Sequence, residues 1–129
     1  MDLNTKTAAL VIGTIFIVVG LLGFVPNPLV SPTGLFAVNT AHNLVHLLTG
    51  VVILAGAYSA FGARNTLLVF GAVYAVVAIA GFIPALTTGG NMLLGFIHVN
   101  AAVKWLHVLL AIVILAAGYY LPDERTATA

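Results

Sequence analysis

Apolar residues run along this chain in four long stretches, at residues 7–25, 35–61, 65–83 and 99–121. Breaks rich in Pro, Gly, Asn and Ser separate them. Each stretch, at about 1.5 Å per helical residue, can cross roughly 30 Å of hydrocarbon. A helix satisfies its own backbone hydrogen bonds in lipid, and the stretches lack the polar and apolar alternation of barrel strands. The pattern therefore predicts an all-α fold, a bundle of four transmembrane helices forming one membrane domain over residues 1–129.

The four stretches form two similar pairs. A shift of 58 positions aligns residues 10–26 with residues 68–84, and eight of these 17 positions are identical. A shift of 61 positions then aligns the second stretch with the fourth, including an Asn-x6-His spacing that both contain. We therefore predict that one helical hairpin was duplicated. The tandem repeats would cover about 7–61 and 65–121 and be related by a pseudo-two-fold axis along the membrane normal.

Composition agrees with a lipid environment. The chain is 62% hydrophobic and 5% charged, whereas about a quarter of a soluble domain is charged. No basic patch is available to neutralise phosphates, which excludes nucleic acid as a partner. The absence of cysteine excludes disulfides, thiolate metal sites and iron-sulfur clusters. The expected partner is the lipid bilayer, with other membrane subunits or a second copy of the chain as further candidates.

The basic residues outside the apolar stretches indicate an orientation. They are Lys6, Arg64 and Arg125, and an even number of crossings places them on one side of the membrane together with both termini. The positive-inside rule makes this side cytoplasmic. The connections after Pro26 and Pro84 carry no charge and are expected to face outward.

A stripe of polar and small side chains follows the second and fourth stretches. Steps of three and four residues place its members on one helical face in each stretch. Polar groups in a membrane helix face the bundle interior or a cavity. The repeat places His46 and His107 at similar depth, so we expect them to face each other. The stripe consists of Asn39, His42, Asn43, His46, Thr49 and Gly50 in the second stretch, and Asn100, Lys104, His107 and Ala111 in the fourth.

Three interpretations of this stripe are open. In the first, Asn and His side chains lock the second helix to the fourth with hydrogen bonds of about 0.6–2 kcal/mol each. In the second, His46 and His107 bind a cofactor, either as the axial pair of a b-type haem or as ligands of a first-row metal, with Gly50 and Ala111 leaving room for it. In the third, a pocket open to the outside binds a small molecule or a lipid headgroup.

Two basic side chains near the outer end of the fourth stretch carry further expectations. Lys104 is a formal charge within the fourth apolar stretch, and its ammonium group either reaches lipid phosphates or faces an anion, such as a carboxylate of a partner subunit. His98 lies in or beside the outer connection and is expected in solvent.

No catalytic constellation is evident in the sequence. The apolar stretches hold no carboxylate that could complete a zinc or di-iron set, and no nucleophile has a recognisable partner. Glycines along the helices favour close docking of membrane helices. The sequence therefore predicts a small non-enzymatic membrane protein that serves as an accessory or scaffold subunit of a larger membrane complex.

The segment NTAHNLVHLLTG, residues 39–50, follows LFAV and resembles the second helix of the DUF4383 family of bacterial four-helix membrane proteins. The resemblance includes the GFVP exit of the first stretch and covers about residues 7–120. Family members look like tandem hairpins with an Asn-x-x-His-Asn-x-x-His-x-x-x-Gly string in the second helix and a variant in the fourth. This chain reads NAAVKWLHVLLA there, with Val103, Lys104 and Ala111 where the family usually has a polar residue, Asn and Gly. The resemblance implies the four-helix architecture and a location in the bacterial inner membrane, with no established activity.

Overall fold

The computed structural model describes residues 2–89 and 92–123. Within these residues, four helices are long and apolar enough to cross a membrane. They are α1 (Thr5–Leu22), α2 (Thr40–Tyr58), α3 (Ala63–Gly81) and α4 (Ala101–Tyr120). Helix α1 packs mainly against α2, and α3 packs mainly against α4. The predicted bundle of four membrane helices is confirmed, and the chain is a small multi-pass membrane protein.

Helices α2 and α4 are shorter than their apolar stretches, and capping residues mark where three of the four helices begin. Asn4, Asn39 and Asn100 precede α1, α2 and α4, and each side-chain oxygen accepts a hydrogen bond from the backbone N–H three residues later. Helix α2 gives way to α3 through the short turn 59–62. Gly62 has a φ of 87°, in the left-handed region that favours glycine, and this allows the tight reversal.

The connections after α1 and α3 contain short strands that the apolar pattern did not indicate. All five strands are two residues long, so they shape the connections and leave the bundle helical. The first connection holds the parallel pair β1 (Val30–Ser31) and β2 (Phe36–Ala37). The second holds a 3₁₀ turn (Pro84–Leu86) and the antiparallel strands β3 (Thr87–Thr88), β4 (Met92–Leu93) and β5 (Ile97–His98).

A reciprocal pair of hydrogen bonds joins these two connections at one end of the bundle, which we call the loop end. Asn39 Nδ2 donates to the carbonyl oxygen of Phe96 at 2.9 Å, and Asn100 Nδ2 donates to the carbonyl oxygen of Leu35 at 2.9 Å. Both donor and acceptor positions are related by the 61-residue shift. This symmetry agrees with the duplication of a hairpin, which stays a prediction from the sequence.

The residues just before α1 and just after α4 meet at the opposite end of the bundle, which we call the terminal end. The backbone N–H of Thr5 donates to the carbonyl of Pro122 at 3.0 Å. The Arg64 guanidinium donates to the carbonyls of Gly118 and Leu121 at 2.6 Å each. Carbonyls in the last turn of a helix lack intrahelical partners, and a cation there also complements the helix dipole. Arg64 therefore ties the start of α3 to the end of α4.

Glycines set the closest approach of the helices within each hairpin. A Cβ atom on Gly50 would lie 2.6 Å from the carbonyl oxygen of Gly13, across the α1–α2 contact. In the second hairpin, a Cβ atom on Gly71 would lie 2.6 Å from Leu115 Cγ. The two helices of each hairpin are thus in tight contact.

Candidate functional site

Three of the four histidines come together where α2 meets α4, and we call them the histidine cluster. His42 and His46 belong to α2 and His107 to α4, with exposed fractions of 2%, 7% and 4%. The ring centroids are 4.8 Å apart for His42 and His46, 5.5 Å for His42 and His107, and 6.5 Å for His46 and His107. One ring nitrogen from each residue lies within 4.8 Å of the other two. The cluster therefore presents three nitrogen ligands to one small volume.

Hydrogen bonds define which nitrogens carry protons in two of these rings. His42 Nδ1 lies 2.8 Å from the carbonyl oxygen of His98, and since a carbonyl only accepts, Nδ1 must donate. In a neutral His42 ring, Nε2 then holds a lone pair and accepts from His46 Nε2 at 3.1 Å. His46 has its proton on Nε2, so its Nδ1 is a bare acceptor. That atom is buried and has no hydrogen-bond partner among the described residues.

His107 completes the cluster from α4. Its ring contacts those of His42 and Tyr74, but it forms no hydrogen bond with any residue in 2–89 or 92–123. Among the described residues, the buried side-chain nitrogen without a partner is His46 Nδ1, and such an exception calls for an explanation such as a bound ion or water. No direct hydrogen bond between described histidines links α2 to α4, and the cluster keeps the Nδ1 of His46 available for a ligand.

A pair of hydroxyl groups lies beside the cluster. The Tyr74 and Thr49 hydroxyl oxygens are 3.1 Å apart and buried, and the Tyr74 ring centroid is 5.9 Å from that of His107. Tyr74 did not emerge from the sequence analysis. The 58-residue shift could have indicated it, because Tyr74 is the equivalent of Phe16 under that shift. The Phe16 ring centroid lies 5.2 Å from that of His46.

Asn39 and Asn100 cap helices at the loop end, and two other stripe residues contact glycines at the ends of α1 and α3. The amide of Asn43 packs against Gly23, and Lys104 Cγ would lie 3.4 Å from a Cβ atom on Gly81. Asn43 and Lys104 are equivalent under the 61-residue shift. Neither side chain lines the narrow clefts between helices that reach the histidine cluster, one between α1 and α4 and one between α2 and α3.

The expectation that Gly50 leaves room for a cofactor is wrong. Gly50 faces α1, and the space beside it is taken by the Gly13 carbonyl and the Ile17 side chain. Glycine allows two helix backbones to approach, and the approach itself uses up the space. Ala111 lies in the apolar core.

Two narrow clefts between helices reach the histidine cluster. The α1/α4 cleft has a volume of about 110 Å³ and the α2/α3 cleft about 120 Å³. The α1/α4 cleft is lined by Ile15, Phe16, Val19, His46, Leu106 and Leu110. The α2/α3 cleft is lined by the histidine cluster, Val45, Thr49, Phe70, Val73, Tyr74, Val77, Leu93, Leu94 and Ile97.

A wider pocket of about 430 Å³ lies at the loop end of the first hairpin. Residues 23–27 form one side of it, with Thr40 and Asn43 from α2. It corresponds to the third interpretation of the polar stripe, a pocket at the membrane surface, which stays a prediction.

Comparison with known proteins places the chain in a family. The family model described as a domain of unknown function, DUF4383, matches residues 6–120. This range includes all four helices and the whole histidine cluster. No curated protein and no solved structure matches the chain. The chain belongs to the DUF4383 family.

Proposed function

We propose that this protein binds one transition-metal ion, in particular monovalent copper, in the histidine cluster within the membrane. The observation that supports the proposal is the convergence of three buried imidazoles whose nitrogens are only partly hydrogen-bonded. Neutral imidazole is the commonest protein ligand for metals of this group. The cluster also extends the sequence prediction, which named His46 and His107, by adding His42.

The spacing of the nitrogens suits a single ion. Two nitrogens that bind one ion at about 2.0 Å lie roughly 3.3–3.5 Å apart. His42 Nε2 and His46 Nε2 are 3.1 Å apart, so one pair is already near this distance once the His46 proton moves from Nε2 to its unpartnered Nδ1. The third nitrogen, from His107, lies within 4.8 Å of the other two residues' ligand nitrogens, so a small movement of its side chain completes the set.

A hydrogen bond outside the cluster orients one ligand. Metal-binding histidines usually donate their second ring N–H to a carboxylate or a carbonyl, which fixes the tautomer. His42 Nδ1 donates to the His98 carbonyl, and this puts the lone pair of a neutral His42 ring on Nε2, the atom that would bind an ion.

The charge of the surroundings favours a monovalent ion. Among the described residues, the carboxylates are Asp2 and Asp123, and Asp123 lies near Arg64 at the terminal end. Three neutral imidazoles therefore leave the full charge of the ion uncompensated. The cost of burying an ion rises with the square of its charge, so a divalent ion pays roughly four times the penalty of Cu⁺.

The clefts are small for a haem. Pockets for cofactors and drug-sized ligands usually measure about 300–1,000 Å³, whereas those that reach the cluster measure about 110 and 120 Å³. His42 also lies within hydrogen-bonding distance of His46, in the space that a macrocycle between His46 and His107 would need. The geometry therefore supports an ion in preference to haem b.

Metal analysis of the protein purified in mild detergent tests this proposal. We expect one equivalent of Cu⁺ per chain after incubation with Cu⁺ under reducing conditions, no Soret band, and binding of Zn²⁺ at least about tenfold weaker. Elemental analysis after gel filtration gives the stoichiometry. Protein that retains no metal at equimolar supply would contradict the proposal.

We further propose that both termini and Arg64 face the cytoplasm. Lys6 and Arg64 supply the charge bias at the terminal end, whereas Arg125 lies outside the described residues. Single cysteines at Asn27 and Gly89 should react with a membrane-impermeant maleimide in intact cells. Labelling of these positions only after permeabilisation would invert the topology.

The role of an accessory or scaffold subunit in a bacterial inner-membrane complex stays a prediction from the sequence. It is compatible with the metal proposal, because a subunit that holds an ion for a larger assembly needs little mass outside the membrane.

A further inference from the structure

The α2/α3 cleft has a polar base and an apolar body. Its polar atoms belong to the histidine cluster and to the hydroxyl pair of Thr49 and Tyr74. The remaining lining residues are Val, Leu, Ile and Phe side chains. Apolar pockets with a few convergent polar groups are typical of small-molecule sites. No described charged residue lines the cleft, so its walls offer no counter-charge and favour an uncharged molecule.

Residues of the two connections close the cluster at the loop end. Val38, Leu93 and Val99 are exposed by only 4%, 3% and 0%. The chain at His98 is held in place by the hydrogen bond between its carbonyl and His42, and the reciprocal asparagine bonds fix both connections above it. Buried apolar side chains therefore cover the histidine cluster at this end, and Leu94 and Ile97 of the second connection line the part of the α2/α3 cleft nearest to it.

The side of the cleft is open towards the lipid. Val45 of α2 and Val73 of α3 line it and are exposed by 39% and 46%. In a membrane, such side chains contact hydrocarbon. The unpartnered Nδ1 of His46 belongs to a residue that lines both this cleft and the α1/α4 cleft. The cluster is thus approached sideways, through the bilayer.

We propose that the fourth coordination position of the bound Cu⁺ takes an uncharged, lipid-soluble ligand that enters from the bilayer through the α2/α3 cleft. This inference rests on the proposed function. Three protein ligands leave a position open on a four-coordinate ion. The volume of about 120 Å³ is close to that of apolar cavities of about 150 Å³ that stay dry and bind benzene. The ligand class is therefore a molecule, or the end of a molecule, of about one ring in size with one donor atom.

Two probes with the same donor group and different charge test the route. Methyl isocyanoacetate is uncharged, and isocyanoacetate carries a carboxylate. Both bind Cu⁺ through the isocyanide carbon, and the infrared isocyanide stretch shifts on binding. With Cu⁺-loaded protein in lipid nanodiscs, we expect the ester to give a saturable shifted band, and the carboxylate to bind at least about tenfold more weakly.

Substitutions at the mouth of the α2/α3 cleft give a second test of the route. Val73→Trp should narrow the α2/α3 cleft and weaken binding of the ester by about tenfold or more. Val76→Trp is the matched control, because Val76 lies on the same helix, is 66% exposed and lines none of the clefts described. It should leave ester binding unchanged.

Copper content measured in each sample separates the two proposals. Wild-type protein without one equivalent of copper would overturn the proposed function and this inference with it. With copper bound, equal binding of both probes, or ester binding that Val73→Trp leaves unchanged, would overturn the sideways route alone.

Discussion

His107→Ala is expected to weaken Cu⁺ binding by about 100-fold or more, which corresponds to roughly 2.7 kcal/mol. The substitution removes the ligand that α4 supplies and leaves two nitrogens from α2. Loss of a partner outside the coordination shell alone typically lowers metal affinity by about 10–100-fold, so loss of a direct ligand should cost at least as much. Competition against a coloured Cu⁺ chelator in detergent measures the change, and His46→Ala should behave in the same way.

His98→Ala is the matched control for this prediction. His98 is the fourth histidine of the chain and lies just outside the cluster, where its backbone carbonyl accepts from His42. Alanine keeps that carbonyl, so affinity should change by less than about threefold. Circular dichroism of every variant checks that the helices are retained. Equal loss in His98→Ala and His107→Ala, or full affinity in His107→Ala, would rule out coordination by the histidine cluster.

The number of helices could be predicted because hydrocarbon imposes one strong rule on the backbone. The bounds of the helices were less predictable, since an apolar stretch can extend beyond either end of its helix. Residues 35–38 are apolar, yet they precede the Asn39 cap and contain β2. Helix α2 begins after this cap because the Asn39 side chain accepts a hydrogen bond from a free backbone N–H of the first turn. The hydropathy pattern does not record this contact.

The predicted repeat gives His46 and His107 the same depth, and their ring centroids lie 6.5 Å apart in the structure. The third member was harder to assign. His42 was placed in the stripe beside the pair, but its equivalent in the second repeat is Val103. Its part in the cluster depends on the bond from Nδ1 to the His98 carbonyl, which forms between residues 56 positions apart and leaves no local signal in the sequence.

The prediction that Gly50 faces a space for a cofactor was wrong for a related reason. Helical spacing shows which residues share a face, but a face about 100° wide can touch two neighbouring helices. Gly50 lies at the edge of the stripe nearest α1, and Thr49, its neighbour in sequence, bonds to Tyr74 of α3. Only the packing of the hairpins decides which edge meets which helix.

Gly50→Ala is expected to destabilise the protein by about 1–3 kcal/mol or more. A Cβ atom at this position would lie 2.6 Å from the Gly13 carbonyl oxygen and 3.0 Å from the Ile17 backbone nitrogen. Both neighbours are backbone atoms of α1, so the clash cannot be relieved by rotating a side chain, and the first hairpin must open. In an unpacked helix the same change would instead stabilise by about 1 kcal/mol. Unfolding in mixed micelles of rising sodium dodecyl sulfate content, followed by circular dichroism, gives the difference in free energy.

Gly81→Ala is the matched control, because it tests a helical glycine outside the tight α1–α2 crossing. Gly81 is also a helical glycine, but a Cβ atom there would meet only Lys104 Cγ at 3.4 Å, an ordinary contact. Its effect on the free energy of unfolding should be within about 0.5 kcal/mol. Because Gly50 is one turn from His46, the separation of α1 from α2 should also carry His46 away from His107. We therefore expect Gly50→Ala to weaken Cu⁺ binding while Gly81→Ala does not, and equal stability of the two variants would show that the α1–α2 crossing is looser than the structure has it.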